Sequence, residues 1–246
     1  MAAACEEALR IGLPAVAFTE HCDFVHVHEG QAPLDLEGYL EAVERCRSRY
    51  PGLRILTGAE LGEPHLHLAE AAAVVAAGRL ERILGSVHCV TFEGRLLDMS
   101  QMRSVAPAKV RALLAAHLAE TLALVESNVA FAALAHIDYG KRYWPSEVPA
   151  YSEREHEEEL RAILRGLARR GGALEINTTR GVDPVRGLCP GPTVLGWWRE
   201  EGGRAVSFGS DAHDPSKVAA GFRSAAALVE AAGFRPASDP TEFWTR

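Results

Sequence analysis

The 246-residue sequence predicts an α/β fold in which parallel strands alternate with helices. Two observations predict it. Short apolar runs alternate with longer segments whose apolar residues recur at helical spacing, the pattern of a parallel sheet with crossover helices. Five of these runs end in residues that can bind a metal ion, and the carboxyl ends of parallel strands meet at one edge of a sheet. We therefore predict one domain over residues 1–246, with its chemistry at that edge.

The six apolar runs are predicted to be strands because they are short and bounded by glycine, proline or polar residues. Seven further segments are predicted to be helices. Gly12 ends the first of them, Pro64 and Pro215 suit first turns, and Ser152 with Glu155 forms a capping-box pattern at the start of the fifth. In chain order, with strands (β) and helices (α), the predicted elements are α 1–11, β 14–21, α 36–50, β 53–60, α 64–77, β 82–88, α 106–128, β 131–136, α 152–170, β 173–177, α 193–201, β 205–209 and α 215–232.

The segments between these elements are predicted to be loops. They include residues 22–34, 91–103 and 139–151, the last of which is rich in aromatic residues and proline and is interpreted as a surface loop. Residues 234–246 are interpreted as a tail.

The composition excludes several classes of protein. A hydrophobic content of 48% and a charged content of 24% are typical of a globular enzyme. The net charge of −7 argues against nucleic acid as the main partner. Five cysteines without Cys-x-x-Cys spacing predict neither a disulfide framework nor a thiolate zinc site. No run reaches the roughly 18 apolar residues of a membrane span, and no signal peptide is visible, so we predict a cytoplasmic protein without a membrane partner.

The predicted strand ends supply candidate metal ligands. A single histidine at a strand end is usually structural, but six candidates at one edge indicate a metal centre. Imidazoles and carboxylates suit zinc, iron and manganese, and a shared carboxylate can bridge two ions. Such ions lower the pKa of a bridging water and stabilise displacement at phosphorus, so the set suits hydrolysis of a phosphate ester. The candidates are His21, Glu60, His88, His136, Asp211 and His213.

Three cationic residues in loops at the same edge are candidate contacts to a phosphate. They are Lys141, Arg142 and Arg180, and arginine in particular binds phosphate in a fork geometry. Asp211 and His213 are also candidates for proton transfer during catalysis, whereas Glu175 is assigned a structural role.

The other histidines are weaker candidates. His26-x-His28 lies in a loop well past the strand end, and His65 and His67 lie in the first turns of a helix, so direct ligation is not favoured for either pair. His117 and His156 lie on predicted helices and are interpreted as solvated.

Five motifs together resemble the PHP (polymerase and histidinol phosphatase) family, especially its histidinol-phosphatase-like members. Their order and spacing agree from about residue 14 to residue 222. The resemblance implies a distorted (βα)7 barrel with two or three divalent ions that hydrolyses phosphomonoesters. It also implies that Glu60 bridges two ions, that His88 and His136 complete the second site, that Asp211 belongs to the first, and that His21 and His213 hold a third. The motifs are Phe18-Thr-Glu-His21, Gly58-Ala-Glu60, Gly85-Ser-Val-His88, Ala135-His136-Ile-Asp138 and Gly209-Ser-Asp211-Ala-His213.

One departure from the family pattern concerns the first strand. The family opens with a strand ending in His-x-His, and no such motif precedes His21. Residues 1–11 correspond to the helix that follows this strand. We therefore expect the first strand of the barrel to be missing, with the strands at 14–21 and 205–209 unpaired and apolar surface exposed between them. We interpret Met1 as an internal start rather than as the start of a relative that has lost the strand.

The leading functional interpretation is metal-dependent hydrolysis of L-histidinol phosphate to L-histidinol and phosphate, a reaction of histidine biosynthesis. One alternative keeps the phosphoesterase chemistry but takes a nucleotide or sugar phosphate as the small-molecule substrate. A second alternative is an inactive metal-binding scaffold, which the absent His-x-His motif keeps open.

Overall fold

The computed structural model describes residues 1–25, 33–181 and 187–246. Within these ranges a seven-stranded sheet has the order β1-β2-β3-β6-β7-β8-β9. The first six of these strands are parallel, and β9 runs antiparallel to β8. All six predicted strands are therefore confirmed. The strands are β1 Ala15–Asp23, β2 Arg54–Gly62, β3 Arg82–Ser86, β4 Cys89–Phe92, β5 Arg95–Asp98, β6 Ala133–Leu134, β7 Ala173–Asn177, β8 Ala205–Gly209 and β9 Trp244–Thr245.

The predicted helices are also present, most of them shorter than expected. The fifth begins at Glu157 because residues Glu153–His156 form a separate 3-10 turn, and Ser152 makes no side-chain capping bond. The predicted capping box is therefore wrong. The last helix begins at Phe222, after a 3-10 turn at Pro215–Lys217. The helices are α1 Ala2–Arg10, α2 Leu36–Arg49, α3 Leu68–Ala76, α4 Val110–Glu126, α5 Glu157–Arg169, α6 Pro192–Glu200 and α7 Phe222–Ala231. None of those described is long and apolar enough to cross a membrane.

The sheet curls into an open half-barrel, since residues of both β1 and β8 line one cavity of about 950 Å³. Within the described ranges β1 pairs with β2 alone, and β8 pairs with β7 and β9. The predicted lack of pairing between the strands at 14–21 and 205–209 is therefore confirmed. Association of the chain through this open edge stays a prediction.

Two apolar clusters hold the helices against the sheet. The larger packs α4, α5 and α6 against the middle of the sheet through fully buried residues such as Leu113, Leu164 and Trp198. The smaller packs α1 and α2 against β1 and β2 through Cys5 and Val43. Each fully buried large side chain contributes about 1.5–3 kcal/mol to folding. These clusters fix the backbone on which the carboxyl edge of the sheet is built.

Three predicted irregular regions differ in the structure. Residues 91–103, predicted as a loop, contain the β4–β5 hairpin, whose turn residues Glu93 and Gly94 both have positive φ, as the tight turns of hairpins require. Residues 139–151, predicted as a surface loop, begin with a buried 3-10 helix at Tyr139–Tyr143. Trp144 follows it, also buried, with its indole N–H donating to the Pro149 carbonyl at 3.0 Å.

The histidines predicted to be solvated on helices are instead buried. His117 contacts the Val87 carbonyl through Nε2 at 3.0 Å, and burial lowers its pKa to about 4. His156 is also buried, against the ring of Tyr151. His117 lies on an inward face of α4, whose mixed alanine and leucine pattern did not reveal that face, and His156 ends the 3-10 turn before α5.

The predicted tail is an ordered part of the fold. Phe234 is fully buried, Asp239 pairs with Arg54 at 2.7 Å, and the ring of Phe243 lies 4.1 Å from the Arg82 guanidinium. Trp244 on β9 packs edge-on against Phe208 at 5.0 Å. The segment therefore covers the end of the sheet opposite the predicted site and ties β8 to β2 and β3.

We expect Trp244→Ala to destabilise the fold by about 2 kcal/mol, below the 3–5 kcal/mol of a fully buried tryptophan because its ring is partly exposed. Urea unfolding in the presence of a chelator would measure the loss. Thr245→Ala, at the exposed neighbour on the same strand, should change stability little. A loss in Trp244→Ala no larger than that in Thr245→Ala would show that the indole ring does not hold the segment.

Candidate metal centre

The predicted ligands converge at the carboxyl edge of the sheet. His21 on β1 and Glu60 on β2 are direct neighbours in the strand register. His88 and His136 follow the ends of β3 and β6 by two residues each. Two groups have ligand atoms that all lie within 4.8 Å of one another: His21 with Glu60 and His88, and His21 with Asp211 and His213. The structure thus brings the six candidates together. The two groups share His21, and a fourth histidine, His136, contacts Glu60.

Glu60 is the centre of the first group. Its Oε1 lies 2.7 Å from His136 Nε2 and 3.1 Å from His88 Nε2. Burial opposes ionisation of this carboxyl, but the two imidazoles, His136 first, hold its pKa well below the ordinary value. Burial also disfavours the charged form of His88, yet Asp23 and Glu60 raise its pKa well above the ordinary value. A cation at this position would replace the protons between Glu60 and the two imidazoles, and would neutralise the carboxylate.

Asp211 is the centre of the second group. Its Oδ2 accepts a hydrogen bond from Arg142 Nη1 at 2.9 Å. Although burial and the nearby Glu60 carboxylate oppose ionisation, Arg142, His136 and His213 lower the pKa of Asp211. His213 places Nδ1 3.0 Å from the Asp211 carbonyl, and its side chain is 71% exposed. The group therefore contains a fixed carboxylate and an imidazole open to solvent.

Two of the predicted ligands have strained backbone. His136 has φ +23° and Asp211 has φ +48°, in the region that residues other than glycine adopt rarely and at a cost of about 1–3 kcal/mol. The His136 N–H donates to Glu175 Oε2 at 3.0 Å, which holds this conformation. Strain of this kind is concentrated at functional sites.

The three predicted phosphate contacts occupy different places. Arg142 is 4% exposed, pairs with Asp211 and lies over the Tyr139 ring. Arg180 is exposed and lies over the Tyr143 ring. Lys141 is 1% exposed, and its ammonium pairs with Asp138 at 2.8 Å. The structure brings Arg142 to the candidate centre, whereas the ammonium of Lys141 is bound in a buried ion pair behind it.

The weaker histidine candidates stay outside these groups. His65 is bound to Glu120, with Nε2 2.6 Å from Oε1, and His67 stacks on Phe24. His26 and His28 lie outside the described residues.

Sequence reasoning missed two carboxylates at the centre. Asp23, on the last residue of β1, lies between His21 and His88. Glu63 follows β2 and accepts hydrogen bonds from the backbone N–H groups of His88 and Cys89. A strand extended to residue 23 would have revealed Asp23, because residues two apart lie on the same face of a strand. No comparable pattern in the sequence indicates that Glu63 lies at the centre.

Glu175, assigned a structural role from the sequence, is buried beside both groups. Its Oε2 accepts hydrogen bonds from the His136 N–H and from Asn177 Nδ2 at 3.2 Å. Burial, together with the Glu60 and Asp211 carboxylates, raises its pKa to about 7. Between its ordinary pKa and about 7, the folded chain therefore holds a proton that the unfolded chain has released. Its contribution makes the metal-free fold less stable as the pH rises through this window.

We expect Glu175→Gln to remove the loss of folding stability that ionisation of Glu175 causes as the pH rises. Relative to the parent, the metal-free variant should gain up to about 3 kcal/mol between pH 5 and pH 8. Urea unfolding at several pH values with a chelator present would measure it. A stability difference that stays constant with pH would show that Glu175 is ionised throughout.

The donor set fits a divalent ion. Imidazole nitrogens and carboxylate oxygens are the ligands that zinc, iron and manganese take in proteins. The shared Glu60 and His21 fit ions close to each other, as in two-metal sites.

Comparisons with known proteins agree with this geometry. The family model of the PHP domain matches residues 1–179. The chain is 25% identical over 233 residues to the histidinol-phosphatase of Lactococcus lactis subsp. lactis, covering 93% of this chain and 83% of the relative. It is 24% identical over 236 residues to the "Probable histidinol-phosphatase" of Clostridium acetobutylicum, covering 94% and 88%.

A solved structure shows the same fold. The histidinol phosphate phosphatase of Lactococcus lactis, crystallised with zinc, L-histidinol and phosphate, superposes with a TM-score of 0.77 at 24% identity and covers 95% of this chain and 87% of that one. The chain belongs to the PHP domain family.

Proposed function

We propose that the chain is a phosphoric monoester hydrolase that converts L-histidinol phosphate to L-histidinol and phosphate with two or three divalent metal ions. The observation that carries this proposal is the pair of ligand groups that share His21, set beside a buried arginine at one edge of the sheet. Relatives named histidinol-phosphatase match nearly the whole chain. Zinc, histidinol and phosphate were present in the crystal of the Lactococcus enzyme, which supports the same ligands here.

The residues divide among three proposed ions. Glu60 with His88 and His136 would hold one ion, and Asp211 would belong to a second. His21 and His213 would hold a third. When bound, such ions activate water as a nucleophile and neutralise charge on the phosphoryl oxygens.

Arg142 is the proposed phosphate contact within the chain. One of its N–H groups is bound to Asp211, while Nε and Nη2 have no hydrogen-bond partner in the part of the chain that the structure describes. A buried guanidinium with two N–H donors that make no other hydrogen bond is suited to donate to two oxygens of one phosphoryl group. Arg180 lies at the exposed side, over Tyr143, and would contact the phosphate or the leaving group from solvent.

His213 is the proposed proton carrier, together with Asp211. The leaving alkoxide of the ester needs a proton, and an exposed imidazole exchanges protons with solvent. Its Nδ1 is bound to the Asp211 carbonyl, so Nε2 is the atom that donates. The same nitrogen would be the ligand to a third ion, and it can fill one of these roles at a time.

Phosphate release from a panel of esters tests the proposal. The chain is loaded with zinc, manganese or iron, and the panel contains L-histidinol phosphate, a nucleoside monophosphate and a sugar phosphate. We expect kcat/KM for L-histidinol phosphate to exceed the others by about 100-fold or more, since a site built to bind polar groups rejects substrates that lack them. A preference for another ester would favour the alternative substrate, and stoichiometric metal without turnover would favour an inactive scaffold.

We further propose that the chain is a single domain that works in the cytoplasm. All five cysteines are free and buried, which is typical of proteins in a reducing compartment.

A further inference from the structure

Asp23 contacts two of the proposed metal ligands at once. Its Oδ1 lies 3.1 Å from His88 Nδ1, and its Oδ2 lies 3.4 Å from His21 Nδ1. The carboxylate is only 14% exposed. One side chain, at the end of β1, therefore faces the same ring nitrogen of both histidines.

The two nitrogens of His88 have different partners. Nδ1 faces Asp23, and Nε2 lies 3.1 Å from Glu60 Oε1. An ionised carboxylate only accepts hydrogen bonds, and a neutral imidazole carries its proton on one nitrogen. Once a metal ion replaces the proton on Nε2, Asp23 keeps the remaining proton on Nδ1, and the lone pair of Nε2 is then free to bind an ion shared with Glu60. Two ligand atoms of one zinc ion are about 3–3.5 Å apart at the usual bond lengths, so the observed separation suits a shared ion.

The local backbone is shaped to admit this carboxylate. Gly62 is the register partner of Asp23 on β2. A Cβ at Gly62 would lie 2.2 Å from Asp23 Oδ1, too close for any other residue without displacement of the carboxylate. The glycine thus allows the side chain to stand between the two histidines.

Asp23 stands behind the ligands and does not join them. In the described ranges, the groups whose ligand atoms lie within 4.8 Å of one another include His21 and His88 but not Asp23. We propose that Asp23 is a positioning residue, which fixes the ring orientation and the tautomer of His88 and His21 so that their Nε2 atoms face the metal ions. The proposal rests on the proposed metal-dependent function, and such outer carboxylates orient ligands in many metal sites.

Zinc binding of Asp23→Asn tests the proposal without any substrate. The variant keeps the size of the side chain and removes its charge. Competition with a chelator should show about 10–100-fold weaker zinc binding than in the parent, with the same number of ions at saturation. Glu41→Gln, which removes an exposed carboxylate on α2, should bind zinc as the parent does. If the parent binds zinc and hydrolyses no phosphate ester, the proposed function fails while this result still stands.

Two results of the zinc titration would overturn the assignment. Unchanged affinity in Asp23→Asn would remove any positioning role. Loss of one ion with unchanged affinity for the others would make Asp23 a direct ligand. A crystal structure of the zinc-loaded parent decides the matter even if the variant does not fold. It should show the ion on His88 Nε2 with Asp23 on Nδ1, and an ion on Nδ1 would contradict the proposal.

Discussion

Replacement of His136 by alanine is expected to lower the turnover of L-histidinol phosphate at least ~100-fold. The ring is buried, and its Nε2 lies 2.7 Å from Glu60 Oε1, closer than any other imidazole described at this carboxylate. The substitution removes one proposed ligand and also leaves the buried Glu60 with one hydrogen-bond partner fewer. Weaker metal binding and a poorly neutralised transition state both follow.

His65→Ala is the matched control for this substitution. The His65 side chain is also shielded from solvent, at 5% exposed, and also contacts a glutamate, with Nε2 2.6 Å from Glu120 Oε1, but His65 is not one of the candidate ligands. It should keep near-normal turnover. Rates are measured with metal in excess, and bound metal is determined in each variant. An inactive His65 variant beside a His136 variant that keeps its metal and its turnover would contradict the site.

The convergence of the candidate ligands could be predicted because it depends on strand ends. Glu60 and Asp211 follow apolar runs whose length and composition indicate buried parallel strands, and such strands place their carboxyl ends at one edge. This reasoning needs only local pattern and one topological rule. It succeeded even at β6, where the predicted strand at 131–136 forms regular pairs only over Ala133–Leu134.

The contacts behind the ligands could not be predicted because they depend on packing between distant segments. Asp23 contacts His88, which lies 65 residues away in the sequence, and Glu175 contacts the His136 backbone, which lies 39 residues away. Lys141 and Arg142 are adjacent in sequence, yet one is bound to Asp138 and the other to Asp211. Nothing in a Lys-Arg pair within an aromatic loop indicates which of the two faces the site.

The ordered C-terminal segment was missed for a related reason. Its polar and proline residues resemble those of a free tail, and β9 is only two residues long. Its order comes from contacts with Arg54, Arg82 and Phe208. These residues belong to strands far earlier in the chain, so local propensity carries no signal for them.

Arg142→Lys is expected to lower kcat/KM for L-histidinol phosphate by about 10–100-fold, the range set by one or two charge-assisted hydrogen bonds of 1.5–3 kcal/mol. Lysine keeps the positive charge but presents a single ammonium, so it loses the fork that can hold Asp211 and two phosphate oxygens together. Arg142→Met should lose more, because Asp211 Oδ2 then loses the cation that lies 2.9 Å away. The buried carboxylate would be left without that partner.

Inhibition by inorganic phosphate separates a phosphate contact from a general loss of structure. If Arg142 binds the phosphoryl group, the inhibition constant for phosphate should rise with the loss of kcat/KM in Arg142→Lys, while zinc content stays at the parent level. Arg161→Lys is the matched control. This arginine pairs with Glu157 on α5, with Glu200 at the end of α6 and with Glu201 just after it, outside the candidate groups. Arg161→Lys should leave kcat/KM and the inhibition constant for phosphate unchanged. A phosphate inhibition constant within twofold of the parent in Arg142→Lys would show that Arg142 supports Asp211 and the fold and does not bind the phosphate. Another cation would then bind it, and Arg180 would be the first to test.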